Sequence, residues 1–182
     1  MFRMIVVIAL VLGSLSPSVQ AATSEINACE FLKPAEISTV IGVAVDGGRR
    51  QDEGVQKDGS YSSSCIWMIK NQKLDPSARL GGRRFVILNA MQWPEGRNMA
   101  GKFLQAFRDS AAKGVIPNKP TPRKFGDEAL WWGDGLAVRK GDVSFGVSVF
   151  MPSDQARTST LEEKLAPIIL RRINERTASQ AI

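Results

Sequence analysis

The sequence predicts an α+β fold: a mainly antiparallel sheet packed with three helices, ordered helix, three strands, helix, three strands, helix. Three observations carry this. Apolar residues recur at helical spacing in three separate segments, around 32–41, 99–110 and 161–173. Segments 61–70 and 83–91 are apolar on both alternating faces, as in central strands covered on each side. In the last third, strand-like runs are separated by Gly133-Asp134-Gly135 and Lys140-Gly141-Asp142, tight turns that force antiparallel pairing.

The elements follow in order. Ala28–Leu32 reads as a helical turn. A first helix runs to about Ile41, with Pro34 at the first helical position, Glu36 in the first turn and Gly42 as its stop. Val43–Val45 reads as a short strand and Asp46–Ser60, rich in glycine and charge, as a mobile loop. Tyr61–Lys70 is a strand with Cys65, Trp67 and Ile69 on one side and Ile66 and Met68 on the other. Asn71–Gly82 is a loop and Arg83–Met91 a strand. Pro94 opens a second helix that reaches Ala112, and Trp93 packs at its entry. Val115–Arg123, with Pro117, Pro120 and Pro122, is an extended connection. Ala129–Trp132, Leu136–Arg139 and Val143–Phe150 are strands, the last with one buried face and one of small residues. Leu161–Ile173 marks the third helix. Its Arg171, Arg172 and Arg176 are placed near the negative end of the helix dipole.

Residues 1–21 read as a cleavable export signal rather than as part of the fold. Arg3 supplies the positive start, Met4–Gly13 an unbroken apolar core of ten residues, and Val19-Gln20-Ala21 the small residues of a cleavage site. The apolar run is short of the roughly 20 residues that a spanning helix needs. Cleavage is placed after Ala21. Residues 22–182 then form one domain, with loose ends at 23–27 and 177–182. The address is periplasmic or secreted, with no stable membrane insertion after cleavage. Ile26-Asn27-Ala28-Cys29 is a poor lipid-attachment box, so a lipid anchor is not expected.

Two cysteines in an exported chain point to a disulfide, Cys29–Cys65. No Cys-x-x-Cys is present, and two thiols alone do not fill a zinc shell. Histidine is absent, which removes Ser-His-Asp and Cys-His nucleophile systems and imidazole metal sites. No catalytic constellation, cofactor site or metal site is expected. The chain has 24 Lys+Arg against 18 Asp+Glu, a net charge of +6, of which Arg3 leaves with the signal. The excess favours an anionic partner. The basic residues are scattered as pairs, which argues against nucleic acid.

Candidate surface residues are few. Trp131 and Trp132 place one indole on each side of a strand, and one of them can serve as a stacking platform for a sugar, a small apolar ligand or a partner. Arg83-Arg84 and Arg139-Lys140 sit at strand ends and would form a basic rim if those strands were neighbours. Asp127-Glu128 is the one tempting carboxylate pair, but neighbours on a strand point to opposite faces. Its expected role is a turn, with Asp127 bonding local amides, and a carboxylate-based hydrolase is disfavoured. The sequence therefore predicts a non-enzymatic exported domain that binds a protein or an anionic envelope component. The alternative is a small-ligand or sugar binder using a tryptophan-lined groove.

Three motifs carry a resemblance: Cys29-Glu30-Phe31-Leu32-Lys33-Pro34-Ala35-Glu36 with Ile41-Gly42, Cys65-Ile66-Trp67, and Phe125-Gly126-Asp127-Glu128-Ala129 leading to Leu136–Asp142. Together they resemble a broad group of small exported bacterial proteins, many of them lipoproteins, without an established activity. That group is similar in outline to the PsbP-like α/β/α sandwich. The resemblance implies a paired-cysteine α+β scaffold and assigns no catalytic or binding residue.

Overall fold

The structure, a computed structural model, describes residues 24–72, 82–96, 99–151 and 160–180. The expected export signal and its cleavage site lie outside the described residues. Among the described residues, three helices and seven strands make an α+β architecture: α1 (Pro34–Ile41), β1 (Arg49–Val55), β2 (Tyr61–Met68), β3 (Phe85–Gln92), α2 (Ala100–Ala112), β4 (Thr121–Arg123), β5 (Glu128–Trp131), β6 (Leu136–Lys140), β7 (Val143–Phe150) and α3 (Thr160–Gln180). A 3-10 turn, Ala28–Glu30, precedes α1.

The sheet is antiparallel throughout, in the order β1-β2-β3-β7-β6-β5-β4. It consists of two meanders joined where β3 meets β7, with Phe85 opposite Phe150 and Gln92 opposite Val143. Each meander is followed by a helix. Helix α3 lies on one face of the sheet with α1 and the 3-10 turn, while α2 lies on the other, over β6 and β7.

The main core fills the α1/α3 face. Trp67, Leu88, Phe145, Val147, Leu136 and Val138 rise from the strands to meet Leu165, Ile169 and Ile173 of α3 and Leu32 and Ile37 of the N-terminal segment. The alternation of Val143, Phe145, Val147 and Val149 supplies the middle of this layer. A smaller cluster on the opposite face joins Leu104, Phe103 and Phe107 of α2 to Leu130, Ala137 and Trp132.

Helix α1 starts at Pro34 and ends at Gly42, whose φ of 77° is the left-handed stop that its sequence predicts. The Cys29–Cys65 disulfide ties the 3-10 turn to β2 across a Cα–Cα distance of 5.1 Å. Cys29 is therefore committed to Cys65 and carries no free thiol for a lipid.

Several expectations are corrected. Asp46–Ser60 is no loop: Arg49–Val55 is an edge strand paired to β2, with a bulge between Asp52 and Gly54. Val43–Val45 is not a strand; Val45 makes a single bridge to Ile69. Helix α2 begins at Ala100 instead of Pro94, which opens a turn. Within the extended connection, Thr121–Arg123 pairs as a short edge strand.

The termini are less loose than expected. Ile26 is fully buried, and α3 continues through Thr177 to Gln180. The α3 arginines consequently do not cap a helix end. Arg172 grips the Glu36 carboxylate with two bonds of 2.7 Å and the Phe31 carbonyl at 2.8 Å. Arg176 bonds the Glu25 carbonyl and the Ser24 hydroxyl. Burial alone would raise the Glu36 pKa, but the bonds from Arg172 and the Lys33 amide outweigh it and hold the carboxyl below its ordinary value.

Candidate functional site

Neither tryptophan of the Trp131-Trp132 pair is an open platform. Trp131 belongs to the main core and is 9% exposed. Trp132 turns to the other face, where its ring stacks on Phe107 of α2 at 4.6 Å. Trp93 donates its indole N–H to Ser144 at 2.8 Å, which makes it an internal strut. Trp131 is thus an interior residue, and Trp132, half-buried, has one ring face taken by Phe107.

The two basic pairs do not meet. Arg83 and Arg84 precede Phe85 at one end of β3, whereas Lys140 pairs with Val143, which pairs with Gln92 at the other end. At about 3.3 Å per residue, the pairs are roughly 25 Å apart along the sheet. Strand alternation also splits each pair between faces. Arg84 turns to the α1/α3 side and is half-buried, its Nε without a hydrogen-bond partner among the described residues. Arg83 turns to the other side and is exposed.

Arg139 and Lys140 are tied to the acidic pair. The Asp127 carboxylate accepts the Gly141 amide at 2.7 Å, Lys140 Nζ at 3.0 Å and Arg139 at 3.4 Å. The Gly141 bond is the main reason its pKa lies below the ordinary aspartate value; Lys140 and Arg139 add to it against a partial burial penalty. Asp127 therefore secures the β6–β7 turn fourteen residues on, where sequence suggested a local turn. Glu128 points the other way and pairs with Arg108 of α2. Gly126 sits at φ 58°, and a Cβ there would collide with the Arg139 carbonyl. The whole Gly-Asp-Glu motif is consumed in joining β5, β6 and α2.

Two surfaces have features suited to a ligand. The first is the half of the α2-side sheet face that α2 does not reach. Register puts Arg49 beside Ile66, Ile66 beside Ile87, Met68 beside Phe85, and Phe85 beside Phe150. Phe85 and Phe150 touch with ring centroids 4.6 Å apart. Ile66, Met68, Phe85 and Ile87 are half-buried, and among the described residues no helix covers them. A hollow of about 420 Å³ lies here, bordered by Arg49 and Arg83. Neither guanidinium has a carboxylate partner among the described residues. Sequence reasoning singled out Arg83 but left Arg49 in a loop; only the strand register brings them to one surface.

The second is a cleft of about 650 Å³ between the end of α2 and the proline-bearing segment before β5. A third hollow, about 550 Å³, lies by the β6–β7 turn and gathers Glu95, Asp127, Asp142 and Lys140 beside Asn174. Its Asp127 and Lys140 already bond each other.

No family model, curated protein or solved structure matches this chain.

Proposed function

We propose that this chain is an exported, non-enzymatic binding domain of the cell envelope that docks on an anionic lipid surface through the open half of its sheet. The observation that carries the reading is the placement of Arg49 and Arg83 around Ile66, Met68 and Phe85 on one surface that no helix covers among the described residues. An amphiphilic boundary matches that combination. Apolar side chains meet the acyl edge, and each guanidinium near an anionic surface contributes about 1 kcal/mol. The excess of Lys and Arg over Asp and Glu, which persists after Arg3 leaves with the signal, favours the same partner.

The Cys29–Cys65 bond supports an oxidising address. The likeness of the cysteine and Gly-Asp-Glu motifs to small exported bacterial proteins points the same way. Docking is peripheral: among the described residues no helix is long and apolar enough to cross a membrane. Asp127 and Glu128, the pair a carboxylate hydrolase would recruit, are engaged by the β6–β7 turn and by Arg108.

Co-sedimentation with phospholipid vesicles tests this. Binding is expected to vesicles containing anionic lipid, to weaken as salt rises, and to fall about 30-fold in the Arg49→Gln/Arg83→Gln double variant. Equal binding of neutral and anionic vesicles, or of parent and double variant, overturns the reading.

A further inference from the structure

The cleft beside α2 differs in construction from the open sheet. Its floor is Leu130, only 3% exposed. One wall is the helix end at Ala111 and Ala112, whose short side chains leave the space unfilled. The other wall contains Pro117, Pro120 and Pro122. Prolines hold φ near −65° and present no N–H, so this wall is stiff and poor in donors. The volume of about 650 Å³ falls within the 300–1,000 Å³ usual for small-molecule sites.

Charge narrows the ligand class. Among the described residues the lining holds two cations, Arg108 and Lys119, and no acid. Arg108 is already paired with Glu128. Lys119 has no carboxylate partner among the described residues. An apolar trough with one uncompensated positive charge at its rim complements an apolar body bearing one negative charge. A sugar is a poor match, because a polyol needs several side-chain donors and acceptors and the described lining offers those two cations alone.

We propose that this cleft binds an aliphatic monocarboxylate, its chain laid over Leu130 between the α2 alanines and the prolines and its carboxylate at Lys119. The site shares no residue with the Arg49/Arg83 surface and does not depend on lipid docking.

Calorimetric titration of the full domain with octanoate, octan-1-ol and octylammonium tests it, with amide NMR shifts locating the ligand. Octanoate is expected to bind saturably, at least tenfold tighter than octylammonium, with shifts centred on residues 108–130. Lys119→Gln, an exposed change, is expected to weaken octanoate about fivefold and leave octan-1-ol unaffected. Ala111→Phe, which fills the trough, should abolish both. The Arg49→Gln/Arg83→Gln variant should bind octanoate as the parent does. Four results overturn the proposal: no saturable binding, equal affinity for octanoate and octylammonium, octanoate affinity unchanged by Lys119→Gln, or shifts that map to the open sheet instead.

Discussion

Consecutive residues of β3 look onto two different worlds. Val86, Leu88 and Ala90 are fully buried beneath α1, α3 and the disulfide-tied N-terminal turn. Phe85 and Ile87 are only half-buried, and Asn89 is exposed, because α2 covers the β6–β7 half of their face and stops there. By composition the two sides of this strand are nearly alike. What separates them is which helix lies above. One face therefore supplies stability, and the other leaves apolar surface beside two guanidinium groups that have no carboxylate partner among the described residues.

The largest expected effect comes from cutting the covalent tie on the closed face. Replacing the pair as Cys29→Ser/Cys65→Ala should lower unfolding free energy by about 3–4 kcal/mol, read by denaturant titration, since the bond closes a loop with a sequence separation of 36. A loss below about 1 kcal/mol would mean that the α3 arginines and the buried Ile26, Leu32 and Ile37 hold the N-terminal segment without the bond. Vesicle binding by the folded fraction should be unaltered, because the open face lies on the other side of the sheet.

Next comes a direct contrast between neighbours. Leu88→Ala should cost about 3 kcal/mol, leaving a cavity under α3. Ile87→Ala, one residue away on the open face, should cost under about 1 kcal/mol yet weaken vesicle docking. Equal costs would show that both faces are covered and would remove the basis for docking. The face under α2 should rank between them: Phe107→Ala loses its stacking on Trp132 and should cost about 2 kcal/mol in the same assay.

Much of the closed face was legible in the sequence. Pro34 and Gly42 bracket α1 because their backbone demands are local. The Cys29–Cys65 pair needed only an oxidising compartment and an even count. The 143–150 alternation announced the Val143, Phe145, Val147 and Val149 side of the core, but its Ser144, Gly146 and Ser148 side, expected to be the one unburied face, is buried as well beneath Trp93, Phe103 and Trp132. The open face was harder to read. Arg49–Val55 carries almost no apolar signal, since an edge strand exposed along nearly its whole length has nothing to bury. Ile66, Met68, Phe85 and Ile87 predicted a covered second face, because hydrophobicity records a preference for burial without recording whether an element arrives to satisfy it. Arg139-Lys140 looked free because their partner, Asp127, sits across a turn that only strand register brings close.

Acid separates the two faces most finely. Glu36 accepts both bonds from Arg172 on the closed side, where the two side chains are 25% and 18% exposed, and its carboxyl titrates below the ordinary 4.5. In the unfolded chain the same carboxyl takes its proton near 4.5, and in the folded chain only lower. Between those values the unfolded state binds more protons. Stability from this contact is thus complete above the unfolded value and drains away as pH falls through the folded one. Asp52 and Asp127, also depressed, add slope of the same sign. Glu36→Gln should cost about 1 kcal/mol at pH 7 and progressively less as pH falls below 4.5, flattening the acid limb of a urea-denaturation series. A variant that runs parallel to the parent down to pH 3 would show that the Arg172 contact carries no proton linkage. Docking on anionic vesicles uses none of these carboxylates, so it should be unchanged by Glu36→Gln at pH 5 and should fall below pH 4.5 only as far as the fold itself is lost.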